Sequence, residues 1–181
     1  MSGYRKLAAI GVAAIAGAVV LAGCGSKSVE DKIAEKAIEH ESGGDVDLNS
    51  KDASIKYTDK DGNQTELNTG GGASIPDGWP KALDPPKSVK IITSSTTKVD
   101  GKTAMTVLGE AEGTIEDLVP AIKQQVTDAG FEITQDSSTN VSGGGYAGLS
   151  ASNDEADLGV AVAQDATDSG KVTITMTITE K

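Results

Sequence analysis

The chain has 181 residues, with 27 acidic side chains against 16 basic ones and a net charge of −11. Such a surface repels nucleic-acid phosphates and anionic headgroups, which excludes a nucleic-acid partner. Aromatic residues make up only 3% of the chain, and that scarcity argues against a large apolar ligand cavity.

The first six residues carry Arg5 and Lys6 and no acid, and Leu7 to Val20 is uncharged and apolar. This is the n-region and h-region order of a secretory signal, whose apolar part runs ~7–15 residues. A spanning helix needs about 20 apolar residues, so an uncleaved membrane span is the second reading. Leu21-Ala22-Gly23-Cys24 follows and holds the only cysteine of the chain. This stretch resembles the lipobox of bacterial lipoproteins: Leu, two small residues, then Cys. The resemblance implies that the Cys24 sulfur receives a diacylglycerol and that a peptidase cuts before Cys24. The new amine is then open to acylation. Stable anchoring takes two acyl chains, which a diacylglycerol supplies. A lone cysteine in an exported protein would otherwise be a free reactive thiol. Lipidation removes it and leaves the mature chain without a disulfide.

Loss of residues 1–23 takes away Arg5 and Lys6, so the net charge moves from −11 to −13. Solubility outside the cell accounts for this acidity; divalent-cation binding is the sharper alternative.

Residues 24–68 read as a membrane-proximal unit. "SVEDKIAEKAIEHESGG", residues 28–44, places Val29, Ile33, Ala37 and Ile38 on one helical face. Ser28 with Asp31 fits a capping box, and Gly43-Gly44 suits a helix stop. "DVDLN", "SIKYT" and "QTELN" then alternate with period two, as a three-stranded meander does. Val46, Leu48, Ile55, Tyr57, Thr65 and Leu67 share one face of it, and Asp61-Gly62 marks a hairpin turn. The helix and the meander would cover each other.

Residues 69–87, "TGGGASIPDGWPKALDPPK", form a Gly- and Pro-rich linker. Trp79 between Gly78 and Pro80 reads as an anchor that pins the linker onto the second domain; the functional alternative is an exposed aromatic for glycan or peptide contact. Residues 88–181 form the main domain. "SVKIITSST" and "KTAMTVLGE" are strands around Asp100-Gly101. "TIEDLVPAIKQQVTDAG" is a helix with Ile115, Leu118, Val119, Ile122 and Val126 on one face. Thr114 with Asp117 caps it and Gly130 stops it. Pro120 either kinks it or marks a first turn near Val119. Four strands follow: "FEITQ", "GYAGLSAS", "ADLGVAVAQ" and "KVTITMTITE". The fold class is α+β: an N-terminal amphipathic helix with a short three-stranded meander, then a main domain of antiparallel sheet with one helix packed on it, in ββαββββ order. The opposite face of that sheet is Thr-rich and wet.

The lipobox, the Glu/Lys/Ala helix running into "SGGDVDLNSKDASIKYTDKDG", the "PDGWPKALDPP" connector and the "VTDAGFEIT" helix end are together similar to small envelope lipoproteins of Gram-positive, actinobacterial-type bacteria. The resemblance implies location and architecture, and carries no activity and no catalytic residue with it.

Motifs with chemical meaning fail on context. Gly62 at the sixth position of a calcium loop puts Tyr57 first and Asn68 last, where carboxylates are needed. "GGGYAG", residues 143–148, satisfies G-x-G-x-x-G, but strand-like sequence follows where a dinucleotide site needs a helix; the stretch reads as a loop and hairpin. His40 is the only histidine, so zinc sites and catalytic triads lack ligands or a base. "NDEAD", residues 153–157, reads as a solvated turn rather than an acid–base pair. The expectation is a non-enzyme without cofactor, metal or catalytic residue. Its site residues are Cys24 for lipidation and Leu21, Ala22 and Gly23 for the lipobox. It sits on the extracytoplasmic face of the membrane through the Cys24 lipid and binds an envelope protein partner. The alternative is a solute- or divalent-cation-binding accessory of a transporter or sensor.

Overall fold

The computed structural model describes residues 44–49, 54–141, 144–164 and 170–181, together with Lys36 and Glu39. Lys36 and Glu39 are helical, within the span expected for the first helix. Leu21, Ala22, Gly23, Cys24 and His40 lie outside the described residues.

The structure is α+β and dominated by one antiparallel sheet. Its strands are β1 (Asp45–Asn49), β2 (Ser54–Thr58), β3 (Gln64–Thr69), β4 (Lys90–Val99), β5 (Lys102–Glu112), β6 (Glu132–Val141), β7 (Gly144–Ser152), β8 (Ala156–Gln164) and β9 (Lys171–Glu180). Helix α1 (Ile115–Asp128) stands between β5 and β6. The order from β4 onward is therefore ββαββββ, as the periodicities indicate. Across the sheet the order is β1-β2-β3-β4-β5-β9-β8-β7-β6.

The first three strands do not close on themselves. β3 pairs with β4 from Gln64↔Lys98 to Thr69↔Thr93, so hydrogen bonding runs unbroken past the connector. What changes there is the apolar side. The cross-strand row Leu149, Val160, Met176, Val107, Ser94, Asn68 faces one side of the sheet. It is buried and apolar as far as Val107 and polar beyond it. The adjacent row, Ser150, Gly159, Thr177, Thr106, Ser95, Leu67, Ile55, faces the other side; it is small or polar as far as Ser95 and apolar at the half-buried Leu67 and Ile55. Ile55 opposite both Leu48 and Leu67, and Tyr57 opposite both Val46 and Thr65, are the pairings that the alternation implies.

The core lies between α1 and β5 to β9. α1 crosses β6, β7 and β8 and buries Ile115, Ile122 and Val126 against Leu149, Val160 and Val162. Thr114 opens the helix by accepting from the Asp117 amide at 3.3 Å and donating to the Asp117 carboxylate at 2.8 Å. Gly130, at φ +82°, ends it: Phe131 N–H reaches the Val126 carbonyl at 3.2 Å and Gly130 N–H that of Thr127 at 3.0 Å. The helix begins at Ile115 and runs through Pro120, which stands on the exposed side. The missing amide there costs less than it would against the sheet, because water reaches that flank.

The connector completes the cover that one helix of 14 residues cannot provide. Trp79 is 6% exposed and Leu83 fully buried, and the indole Nε1–H donates to the Leu83 carbonyl at 3.0 Å. Gln125 on α1 donates to the carbonyls of Ala82 and Asp84 at 3.0 and 2.7 Å. Trp79 is thus a core residue and pins the connector, as the first of the two readings has it.

Turns follow their residues. Asp100 and Gly101, at φ 52° and 79°, join β4 to β5 as a two-residue hairpin turn. Between β2 and β3 the organising residue is Asp59 rather than Asp61-Gly62 alone. Its carboxylate accepts from the amides of Asp61 and Asn63 and from the Asn63 side chain, each at 2.9 Å. Those bonds, that of the Asn63 side chain first, hold its pKa below the usual aspartate range.

Candidate functional site

Among the described residues, each side of the sheet carries a concave surface of ligand size. The first lies on the face of the sheet away from α1. There β9 presents Thr173, Thr175, Thr177 and Thr179, because strict alternation sends Val172, Ile174, Met176 and Ile178 into the core. Opposite Thr177 and Thr175, β8 offers Gly159 and Ala161, with Asp157 opposite Thr179 and Ala163 opposite Thr173, and β7 offers Gly148 and Ser150. Small residues between taller neighbours make a trough. Its part near Tyr146 encloses about 320 Å³. Its continuation toward Ser152 and Asp157 encloses about 350 Å³ and shares Ser150, Gly159 and Thr177 with it. From Tyr146 to Ser152 the trough follows β7 for roughly 20 Å at the strand rise per residue.

Tyr146 is the aromatic that lines this trough and is 49% exposed. A methyl group placed on Gly148 would stand 3.1 Å from the Tyr146 ring and from Ser137 Oγ. The ring therefore lies along the strand above Gly148, and the glycine makes room for it. Ser137 Oγ is fixed by donating to the Gly148 carbonyl at 3.3 Å. Thr106 and Thr177 share a hydroxyl hydrogen bond of 3.1 Å, which holds one wall. The described residues lining the Tyr146 half carry no charge. The sequence ascribes no site to this segment: "GGGYAG" reads as a loop and hairpin, whereas Gly144 to Gly148 belong to β7. The signal available is a glycine two residues after an aromatic on the same face of a strand.

The second surface is a groove of about 600 Å³ between residues 74–78 of the connector and the polar side of β2 to β5. Lys56 and Glu66 pair across strands at 3.2 Å on its floor. Asp77, Lys98 and Glu180 stand around it, and Glu180 is held by the Thr103 amide at 2.8 Å. The groove exists because the apolar side of the sheet changes at β4, so the connector crosses polar strands without sealing on them.

Asn153 turns β7 into β8, its side-chain oxygen accepting from the amides of Glu155 and Ala156 at 3.0 and 2.8 Å. That accounts for "NDEAD" as a turn, with Asp154 and Glu155 exposed. Among the described residues, no three His, Cys, Asp or Glu side chains are grouped to hold a metal, and no helix is long and apolar enough to cross a membrane. Comparison of the chain with protein-family models, curated proteins and solved structures gave no match.

Proposed function

We propose that this chain is a lipid-anchored, non-catalytic module of the cell envelope. It is cleaved before Cys24, held by a lipid on Cys24 to the outer face of the cytoplasmic membrane, and binds an envelope partner through the open face of its sheet. The segment of residues 28–44, whose apolar residues recur at helical spacing, is the membrane-proximal element. The observation that carries the binding role is the contrast between the two faces of β5 to β9. One is sealed by α1 and the connector, while the other keeps a half-exposed Tyr146 above a glycine-floored trough. The anchoring role rests on Arg5-Lys6, the apolar run and Leu21-Ala22-Gly23-Cys24.

The test is in-cell crosslinking of the lipoprotein with mass spectrometry, beside a Cys24→Ala form, after metabolic labelling with an alkynyl fatty acid. The expected result is label that depends on Cys24 and one recurrent partner that the Cys24→Ala form loses. Label on neither form refutes the anchor; the same random neighbours with both forms refute a protein partner and, where no envelope polysaccharide binds either, the binding role.

The connector groove favours a second reading, an accessory that binds a small polar solute or a divalent cation for a transporter or sensor. Its polar groups converge on a concavity of ligand size. Calorimetry with calcium, amino acids and small sugars tests it, and the absence of heat and of thermal shift removes it.

A further inference from the structure

We propose that the trough on the open sheet face binds a neutral polysaccharide chain, with Tyr146 as the stacking platform and Gly159 as the floor over which the chain passes. The inference rests on the reading of this face as the contact face and gives its partner a chemical class.

Four observations select that class. The described lining of the Tyr146 half is uncharged, and Asp157 in the other half is paired with Lys181 at 3.4 Å, so the lining offers no cation to an anionic ligand and its one carboxylate is already paired. The net charge of −11 further disfavours anions. Gln135, Ser137, Ser150, Thr175 and Thr177 supply an amide and hydroxyls, groups that donate and accept alike; this is the complement of a polyol, whose hydroxyls do the same. Tyr146 presents a flat apolar ring with a polar tip, which suits the C–H face of a sugar ring beside its hydroxyls. Lastly, the trough is long, shallow and continuous over its two parts. An enclosed pocket suits a small solute and a deep apolar hole suits a protein anchor residue; an open channel suits a chain.

Gly159 makes the inference testable. Among the described residues, no atom beyond its chain neighbours lies within 4 Å of where its Cβ would stand. Gly159→Val therefore fills the trough without touching the fold, and valine suits a strand.

The experiment is calorimetric titration of the full chain in detergent micelles with chitohexaose, soluble α-mannan and dextran, followed by tetranitromethane nitration of Tyr146 with and without the polysaccharide that binds. Binding of at least one polysaccharide is expected, with slower nitration of Tyr146 in its presence. Tyr146→Ala and Gly159→Val should each weaken binding by about tenfold or more, with the melting of both variants showing that they are folded. Binding of none of the three, or binding that both variants keep, overturns the inference. If a crosslinked envelope protein shields Tyr146 instead, the glycan inference fails while the anchored-module proposal stands; loss of the Cys24-dependent label would fail that proposal separately.

Discussion

Leu83→Ala tests whether the connector belongs to the core. Leu83 is fully buried, beneath the C-terminal half of α1 and beside Trp79. Truncating such a leucine costs the transfer free energy of the lost methyl groups plus that of the cavity, about 2–5 kcal/mol. The upper half of that range applies where the walls cannot close. Here one wall is α1, fixed by Gln125 to the carbonyls on both sides of Leu83, and another is Trp79, fixed by its bond to the Leu83 carbonyl. The cost should therefore be about 3.5–5 kcal/mol, a large part of the ~5–15 kcal/mol that holds a domain together. The melting temperature should fall by roughly 10 °C. Trp79 is the only tryptophan, so its fluorescence reports the connector while circular dichroism reports the sheet. In urea the two signals should move together in the parent chain and in Leu83→Ala. A cost below about 1 kcal/mol, or a Trp79 transition that precedes the loss of sheet, would show that the connector is a tether and would refute the packing argument.

Three further outcomes are expected. Pro120→Ala restores an amide donor toward the Glu116 carbonyl within α1 and should raise stability by roughly 1–3 kcal/mol in urea unfolding. Ser94 is 1% exposed and its hydroxyl has no hydrogen-bond partner among the described residues, so Ser94→Ala should raise stability by about 1 kcal/mol, where an ordinary core truncation would lower it. Asp59, its pKa lowered by Asn63 and the turn amides, stabilises the β2–β3 turn as the anion. That contribution is complete above the ordinary aspartate pKa and disappears as pH falls through the lowered value. Titration by NMR should place Asp59 below an unstructured aspartate, and the parent chain should lose its advantage over Asp59→Ala in turn amide protection as the solution is acidified.

What the sequence discloses depends on how locally it is determined. "ADLGVAVAQ" and "KVTITMTITE" coincide with β8 and β9 because each has period two, β8 alternating apolar residues with mostly small ones and β9 with threonines, and is bounded by turn residues. The cap at Thr114 and the stop at Gly130 are equally local. "FEITQ" understates its strand: β6 continues to Val141 through Asp136, Ser137 and Ser138. That polar run is held as strand by pairing with β7 and by nothing in its own pattern. Its place at the sheet edge explains the composition, since polar residues and the irregularity between Ile133 and Gln135 discourage further pairing. The union of β3 with β4 is out of reach for a related reason. Both strands mix polar residues into both faces near the join, and no periodicity specifies a pairing across the intervening 20-residue connector. The trough is illegible in the sequence because a binding surface on a sheet is a matter of registry. Gly148, Gly159 and Thr177 lie far apart along the chain and become neighbours only once β7, β8 and β9 are aligned.

The change of apolar side at β4 links the fold to both concave surfaces. A nine-stranded sheet needs cover along its width, and α1 lies mainly over β6, β7 and β8. Trp79 and Leu83 extend the cover beside α1, and Met105 ends the buried apolar side at β5. Past that line the same side carries Thr96, Glu66 and Lys56, which water can solvate. The connector, crossing there on its way to Trp79, has polar groups beneath it and leaves a groove. On the reverse side the threonines of β9 need no cover at all, because each hydroxyl can bond to water or to a neighbour, as Thr177 does to Thr106. Both surfaces thus arise from the alternation that builds the core: where one side of a strand is sealed its other side is polar, and where the small residues of β7 and β8 meet the threonines of β9 that polar side is concave.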